Sequence, residues 1–158
     1  IGLFMKNASQ MEHGEKALET HAAEAVIQKV AVLDEQGHDV ETISESADVV
    51  VTIRIEARQE GFRGHIGAGI FDLQDHIVFG TSTKHSGHAC IPMSGEQEFA
   101  VRISSIPIKR GSFVFKGFIL DQECLRVVDE CSTQPYQFAS KRPDLGYLRI
   151  EKEWIGIG

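Results

Sequence analysis

From Ala25 onward the chain changes sides at every second residue. The stretch DVVVTIRIEAR at 48 to 58 is the plainest case: Val49, Val51, Ile53, Ile55 and Ala57 fall on one side, and Val50, Thr52, Arg54, Glu56 and Arg58 on the other. A period of two is that of a β-strand with one buried face and one wet face. The same texture recurs at 25–34, 65–73, 76–83, 96–108, 111–121, 125–130, 135–140 and 146–154, with Gly, Asp, Ser and Pro between the runs. About eight or nine short strands separated by turn residues predict an all-β, two-sheet sandwich over 25–158. Residues 1–24 hold no clean stripe at helical spacing, and are expected to be a short linker, partly helical or disordered.

Size and charge narrow the function classes. A chain of 158 residues can bury one core without staples. Sixteen Lys and Arg against 23 Asp and Glu leave a net charge of -7, and the densest basic spots, "IKR" at 108–110 and "SKRP" at 140–143, are too short to follow a nucleic-acid backbone, so nucleic acid is not an expected partner. Three cysteines, Cys90, Cys124 and Cys131, lack the spacing of a disulfide scaffold and favour a reducing compartment. No apolar run approaches the roughly 20 residues of a membrane helix, and no signal-peptide pattern opens the chain. Because it begins at Ile, the chain is expected to be part of something longer.

The stretch HIGAGIFDLQDHIVFGTST at 65–83 reads as a hairpin turning at "QD". It also carries a resemblance. A strand of the type "vGixIxD" followed by "vfGtxT" is matched by Ile66, Gly67, Ile70 and Asp72, then by Val78, Phe79, Gly80, Thr81 and Thr83. A later "l..G.Y.v.v.l.d" is matched by Ile108, Gly111, Phe113, Phe115, Ile119 and Asp121, with Phe in place of Tyr. The closing "G.l.i...W", preceded by an aromatic strand, is met by Phe138, Gly146, Leu148, Ile150 and Trp154. Over residues 25–154 the chain resembles the C-terminal carbohydrate-binding domain of the Wzt-type nucleotide-binding subunit in ABC transporters that export O-antigen polysaccharide.

That resemblance implies an immunoglobulin-like (jelly-roll-type) sandwich, often dimeric through its terminal strands, that binds a finished or capped glycan before export. It implies an ATPase domain and a membrane subunit as partners, and a cytoplasmic place at the inner membrane. No G-x-x-x-x-G-K-[ST] phosphate loop occurs in these residues, so the ATPase is expected to lie outside them.

Within this frame the hairpin's second face becomes the candidate glycan site. Gly67 and Gly69 leave two outward positions without side chains, and Phe71 stands beside them, as if the sheet carried a shallow trough where a sugar ring could stack on an aromatic plane. If strand 111–121 lies alongside, Lys116 and Phe118 share the face and His65 marks its rim. The competing expectation is that the glycines admit a bulge or packed loop, and that Phe71 and Phe118 are covered by the N-terminal segment or a dimer partner.

Other chemistry is weaker. His85, His88 and Cys90 in KHSGHAC could ligate zinc, but no fourth ligand stands at a recognised spacing, and no metal or other cofactor is expected. Cys124 and Cys131 are too far apart in sequence for a C-x-x-C redox pair, and Cys124 reads as a small buried residue. No nucleophile elbow is present, and Asp72 and Asp75 are explained by turn chemistry. The expectation is a binding domain with no catalytic residues. Its main rival is a protein-interaction or dimerisation sandwich without sugar binding.

Overall fold

The computed structural model describes residues 23–157. These residues form ten strands and no helix: β1 (Ala25–Leu33), β2 (Thr42–Ser44), β3 (Val49–Ala57), β4 (Arg63–Asp72), β5 (Ile77–Ser82), β6 (Ile91–Pro92), β7 (Gly95–Ile103), β8 (Gly111–Leu120), β9 (Val127–Ser132) and β10 (Tyr136–Ala139). Three of them make one sheet in the order β1-β3-β7, and the rest make a larger sheet in the order β2-β10-β8-β4-β5, with β9 added to β8 and β6 to β4. The all-β sandwich read from the periodicity is what the chain builds. Two short strands, β2 and β6, carry too few residues to show an alternation.

The core lies where the two inner faces meet. β3 contributes Val49, Val51, Ile53 and Ile55, β4 contributes Ile66, Ala68 and Ile70, and β8 contributes Phe113, Phe115 and Ile119, all buried. Phe115 meets Tyr136 edge-on at 5.7 Å between centroids and lies stacked near Phe138 at 6.4 Å, which ties β10 to β8. At Gly117 a methyl group would come within 3.0 Å of Ile53 and Val30, so the missing side chain lets the smaller sheet's residues pack directly on β8. Hydrogen bonding also ties the two sheets together: the Ile27 amide on β1 donates to Asp129 Oδ2 on β9 at 2.7 Å.

The hairpin of β4 and β5 turns as its residue types dictate. Asp72 Oδ1 accepts from the amides of Gln74 (2.9 Å) and His76 (2.8 Å), and Asp75 sits at φ 68°, the left-handed region that Asp tolerates better than most residues. Burial pushes the Asp72 carboxyl up, but these bonds and His76 outweigh it and hold its pKa below the usual carboxylate range.

The strand expected at 146–154 does not form. Its pairing reduces to a bridge between Ile108 and Leu148, held by the Lys109 amide donating to Tyr147 O (2.7 Å) and the Arg149 amide to Pro107 O (2.6 Å). Lys109 is buried and its ammonium donates to the carbonyls of Asp144 and Leu145, while Arg110 takes those of Arg142 and Asp144. Those side chains satisfy backbone that a neighbouring strand would otherwise pair. Beyond it, Ile150, Trp154, Ile155 and Ile157 are exposed.

Candidate functional site

The register of the larger sheet brings the six expected site residues onto one face. Gly67 pairs with Phe118, Gly69 with Lys116, Phe71 with Val114 and His65 with Leu120, while β5 places Ser82 and Gly80 beside Gly67 and Gly69. Because side chains alternate along each strand, all of these point away from the core.

The face is filled rather than bare. A methyl group at Gly69 would lie 2.9 Å from Cε1 of the Phe71 ring, and one at Gly67 would lie 3.2 Å from Cδ1 of Leu120. The glycines therefore make room for neighbouring side chains of the same sheet to fold over them. Phe71 and Phe118 are both 0% exposed, with ring centroids 6.0 Å apart, and Leu120 completes a second, smaller apolar cluster. His65 is buried too, bonded through Nδ1 to Thr83 Oγ1 at 2.9 Å, and burial holds its pKa below the usual value, with Lys84 adding to the effect. The open trough expected from the sequence is thus corrected: neither aromatic ring presents a plane to solvent. Alternation reveals which side a residue faces, but not that a long side chain one strand away bends across a glycine.

Lys116 is part of the same packing. Its ammonium stands 4.7 Å from the centre of the Phe71 ring, pairs with Asp75 in the hairpin turn, and lies 3.5 Å from Glu130 Oε2 on β9. A cation over an aromatic face is attracted by the ring's quadrupole, more strongly when water is excluded. Burial pushes the Glu130 carboxyl up to about 8; Lys116 opposes that shift and Asp75 adds to it. The cluster clamps the β4–β5 turn against β8 and β9.

The accessible hollows lie to either side. One, of about 180 Å³, opens on the outer face between Ile77, Gly80, Ser82, His85, Leu120 and Cys124. There Ser82 Oγ and His85 Nδ1 share a hydrogen bond of 2.8 Å, and Cys124, read from the sequence as a small buried residue, is half-buried at φ 56° and has its thiol pushed up by burial. The larger, of about 540 Å³, runs along the seam where the edge strands β5 and β7 leave the sandwich open. Val78, Phe79, Val101 and Ile103 give it apolar walls, and Thr81, Ser86, Arg102 and Ser104 supply polar groups. Phe79 is 43% exposed. A second cavity of about 180 Å³ continues the seam past Thr81 and Ser86 to His88 and Phe99. The sequence held a signal for this groove in Phe79, which alternation puts on the core side. Only the sheet order reveals that β5 is an edge, where such a residue stays half-open.

The histidine loop does not converge. His85 is engaged with Ser82, and Cys90 Sγ lies 3.7 Å from the Gly64 carbonyl. Among the described residues no group of three or more His, Cys, Asp or Glu side chains is placed to hold a metal ion. No disulfide joins Cys90, Cys124 and Cys131. Arg54 and Arg102 are exposed on the smaller sheet, near Glu98 (3.7 Å) and Glu35 (4.0 Å), as solvated surface charges.

The two packed, mainly antiparallel sheets define the chain as an all-β sandwich domain. The Wzt C-terminal domain family model matches residues 17–133, and the chain belongs to that family. In structure it is similar to the C-terminal domain of Wzt seen in a crystal structure, with a TM-score of 0.64 at 10% sequence identity, covering 85% of each chain. It also resembles part of a β-glucuronidase from glycoside hydrolase family 2, with a TM-score of 0.50 at 14% identity over 73% of this chain and 13% of that one. At these identities the structural likeness is one of fold. No curated protein matches the chain in sequence. Among the described residues no helix is long and apolar enough to cross a membrane.

Proposed function

We propose that this chain is a non-catalytic carbohydrate-binding domain that recognises an O-antigen-type polysaccharide for export by an ABC transporter. Membership of the Wzt C-terminal domain family carries this reading. Its partners would be the glycan, an ATPase domain, a membrane subunit and a second copy of the chain, and its place the cytoplasmic side of the inner membrane. Recognition proceeds by binding, with no bond made or broken by the domain.

The glycan is proposed to lie in the seam groove between β5 and β7. An exposed aromatic plane at Phe79, with Thr81, Ser86 and Arg102 around it, supplies what a sugar needs: a surface for its apolar face and donors and acceptors for its hydroxyls. His65, Gly67, Gly69, Phe71, Lys116 and Phe118 serve from beneath, as the packed layer that holds the β4–β5 hairpin in place. Titration with the cognate polysaccharide tests this. Phe79→Ala is expected to weaken binding by about 1–3 kcal/mol with the fold intact, the size of a lost aromatic contact. Equal affinity in the variant and the parent would remove the glycan from the seam.

A dimerisation role has its own observation: Tyr147, Leu148, Ile150, Trp154 and Ile155 are all exposed along the C-terminal segment. Such a run of large apolar groups is typical of surface that a partner covers. Sedimentation across a range of concentrations, with and without glycan, separates the readings. A dimer that forms without glycan and is lost on Trp154→Ser, with no glycan affinity in either protein, would favour the pure interaction domain.

A further inference from the structure

The seam groove between β5 and β7 is sparing in polar groups. Among the described residues that line its larger part, none is a carboxylate, a carboxamide or an imidazole, and Arg102 is the one charged group. Its hydroxyls come from Thr81 and Ser86 on one side and Ser104 on the other. The remaining wall is aliphatic: Ile106 and Ile108 are buried, Val101 and Ile103 are half-buried, and Leu148 stands exposed at the lip. Phe79, paired with Ile70 across β4 and β5, presents its ring between the two sides.

A groove lined in this way sorts the substituents of a bound ring. Hydroxyls on its open side keep their water or meet Thr81 and Ser86. A hydroxyl turned to the aliphatic wall surrenders its hydrogen bonds to water and finds no partner there. In a hexose the group that reaches farthest from the ring is the C6 hydroxymethyl. With its oxygen removed it becomes a methyl, which gains by leaving water for the same wall.

We infer that the glycan taken by the seam is built of 6-deoxyhexose residues, each ring stacked on Phe79 with its C6 methyl against Ile103, Ile106 and Ile108. The inference rests on the seam being the glycan site proposed above and names the class of sugar it takes.

Dimensions agree with one ring at this place and more beside it. The cavity of about 540 Å³ lies within the range of small-ligand sites. Phe79 and Thr81 share one face of β5 two residues apart, about 7 Å at strand rise, so a ring stacked on the first brings its hydroxyls to the second. The hollow that runs on past Thr81 and Ser86 toward His88 and Phe99 gives the adjoining residue of a polymer somewhere to lie.

Charge favours a neutral sugar. The Arg102 guanidinium already has Glu35 at 4.0 Å, and the chain as a whole carries -7. An acidic sugar would enter a negative field with one shared cation to meet it.

The test titrates the full chain, by ligand-observed NMR, with methyl glycosides in pairs that differ only at O6: 6-deoxymannose against mannose, 6-deoxygalactose against galactose, and 6-deoxyglucose against glucose. In the pair whose ring the groove accepts, the deoxy member is expected to bind about tenfold tighter, the usual worth of a small apolar difference in such a wall. Its C6 methyl protons should receive the strongest saturation transfer from the protein. Ile103→Thr puts a hydroxyl into the wall and should reduce the preference to about threefold or less. Val101→Thr repeats the measurement if the first variant fails to fold. Equal affinity within every pair, lost in Phe79→Ala, would overturn the deoxy assignment and leave the seam as the glycan site. A deoxy preference that persists unchanged in Phe79→Ala would remove the glycan from the seam, and the inference with it. A preference untouched by both threonine variants, or no binding of any glycoside at millimolar concentration, would overturn it as well.

Discussion

Adding one methyl group at Gly69 is expected to destabilise the fold, because the space beside it is already occupied. A β-carbon there would come 2.8 Å from the Phe79 carbonyl oxygen and 2.9 Å from Cε1 of Phe71. The ring could swing aside only toward Phe118, at 6.0 Å between centroids, or toward the Lys116 ammonium, 4.7 Å from its centre. The carbonyl belongs to β5 and cannot retreat without disturbing the pairing of Gly69 with Gly80. Forcing a methyl into such packing costs about 1–3 kcal/mol. Alanine's narrower unfolded ensemble returns about 0.4–1 kcal/mol. The net is a loss of about 1–2 kcal/mol, or a fall in Tm of several degrees for a domain of this size. Urea unfolding of Gly69→Ala should show a lower midpoint at an unchanged m-value. Gly67→Ala should be milder, since its nearest neighbours would stand at 3.2 Å (Leu120 Cδ1) and 3.3 Å (Thr81 O). A midpoint equal to or above that of the parent in Gly69→Ala would mean the outer side of β4 is open, and would refute the filled-face geometry.

Phe71→Ala should unfold about 3–5 kcal/mol more easily, the usual cost of deleting a buried phenylalanine, and the readout is the same urea midpoint. A loss below 1 kcal/mol would return Phe71 to the surface. Asp129→Ala removes the charged acceptor of the inter-sheet bond to the Ile27 amide and is expected to cost about 1.5–3 kcal/mol, with faster hydrogen exchange at that amide. Glu130 gives the chain a pH dependence. Its folded-state pKa is raised from 4.5 to about 8, so the folded protein retains a proton that the unfolded chain releases. This stabilisation is full below the unfolded value and is lost as pH rises toward the folded one, at up to about 1.4 kcal/mol per pH unit. Lys116, Asp75 and Asp129 face the same carboxyl, and Glu130→Gln should flatten the decline between pH 5 and 8 when unfolding is followed across that range. A decline of equal slope in the variant would assign it to another group.

What the sequence determined by itself was the kind of layer each segment can form. Val49, Val51, Ile53 and Ile55 announce a buried strand face because alternation is a local property, and Asp72 and Asp75 announce the hairpin because their side chains bond to backbone only a few residues away. The ordered pattern from Ile66 to Thr83 was likewise readable without coordinates, and it leads to the family. The side of the sheet on which Gly67, Gly69, Phe71, Lys116 and Phe118 lie followed from parity once β4 and β8 were adjacent.

What only the tertiary structure decided was depth. Phe71 and Phe79 sit eight residues apart in one hairpin, yet the outward one is sealed and the core-facing one is half-open. Strand order accounts for Phe79, since β5 lies at the sheet edge beside a seam. Side chains reaching across glycines, from Leu120 over Gly67 and from Phe71 over Gly69, account for the filled face. Strand order is a long-range property that local alternation does not encode. The failed strand at 146–154 has the same origin: its alternation is adequate, but Lys109 and Arg110 take up the carbonyls just before it and leave a single bridge at Leu148. A periodic pattern makes a segment able to be a strand, and a free neighbour makes it one.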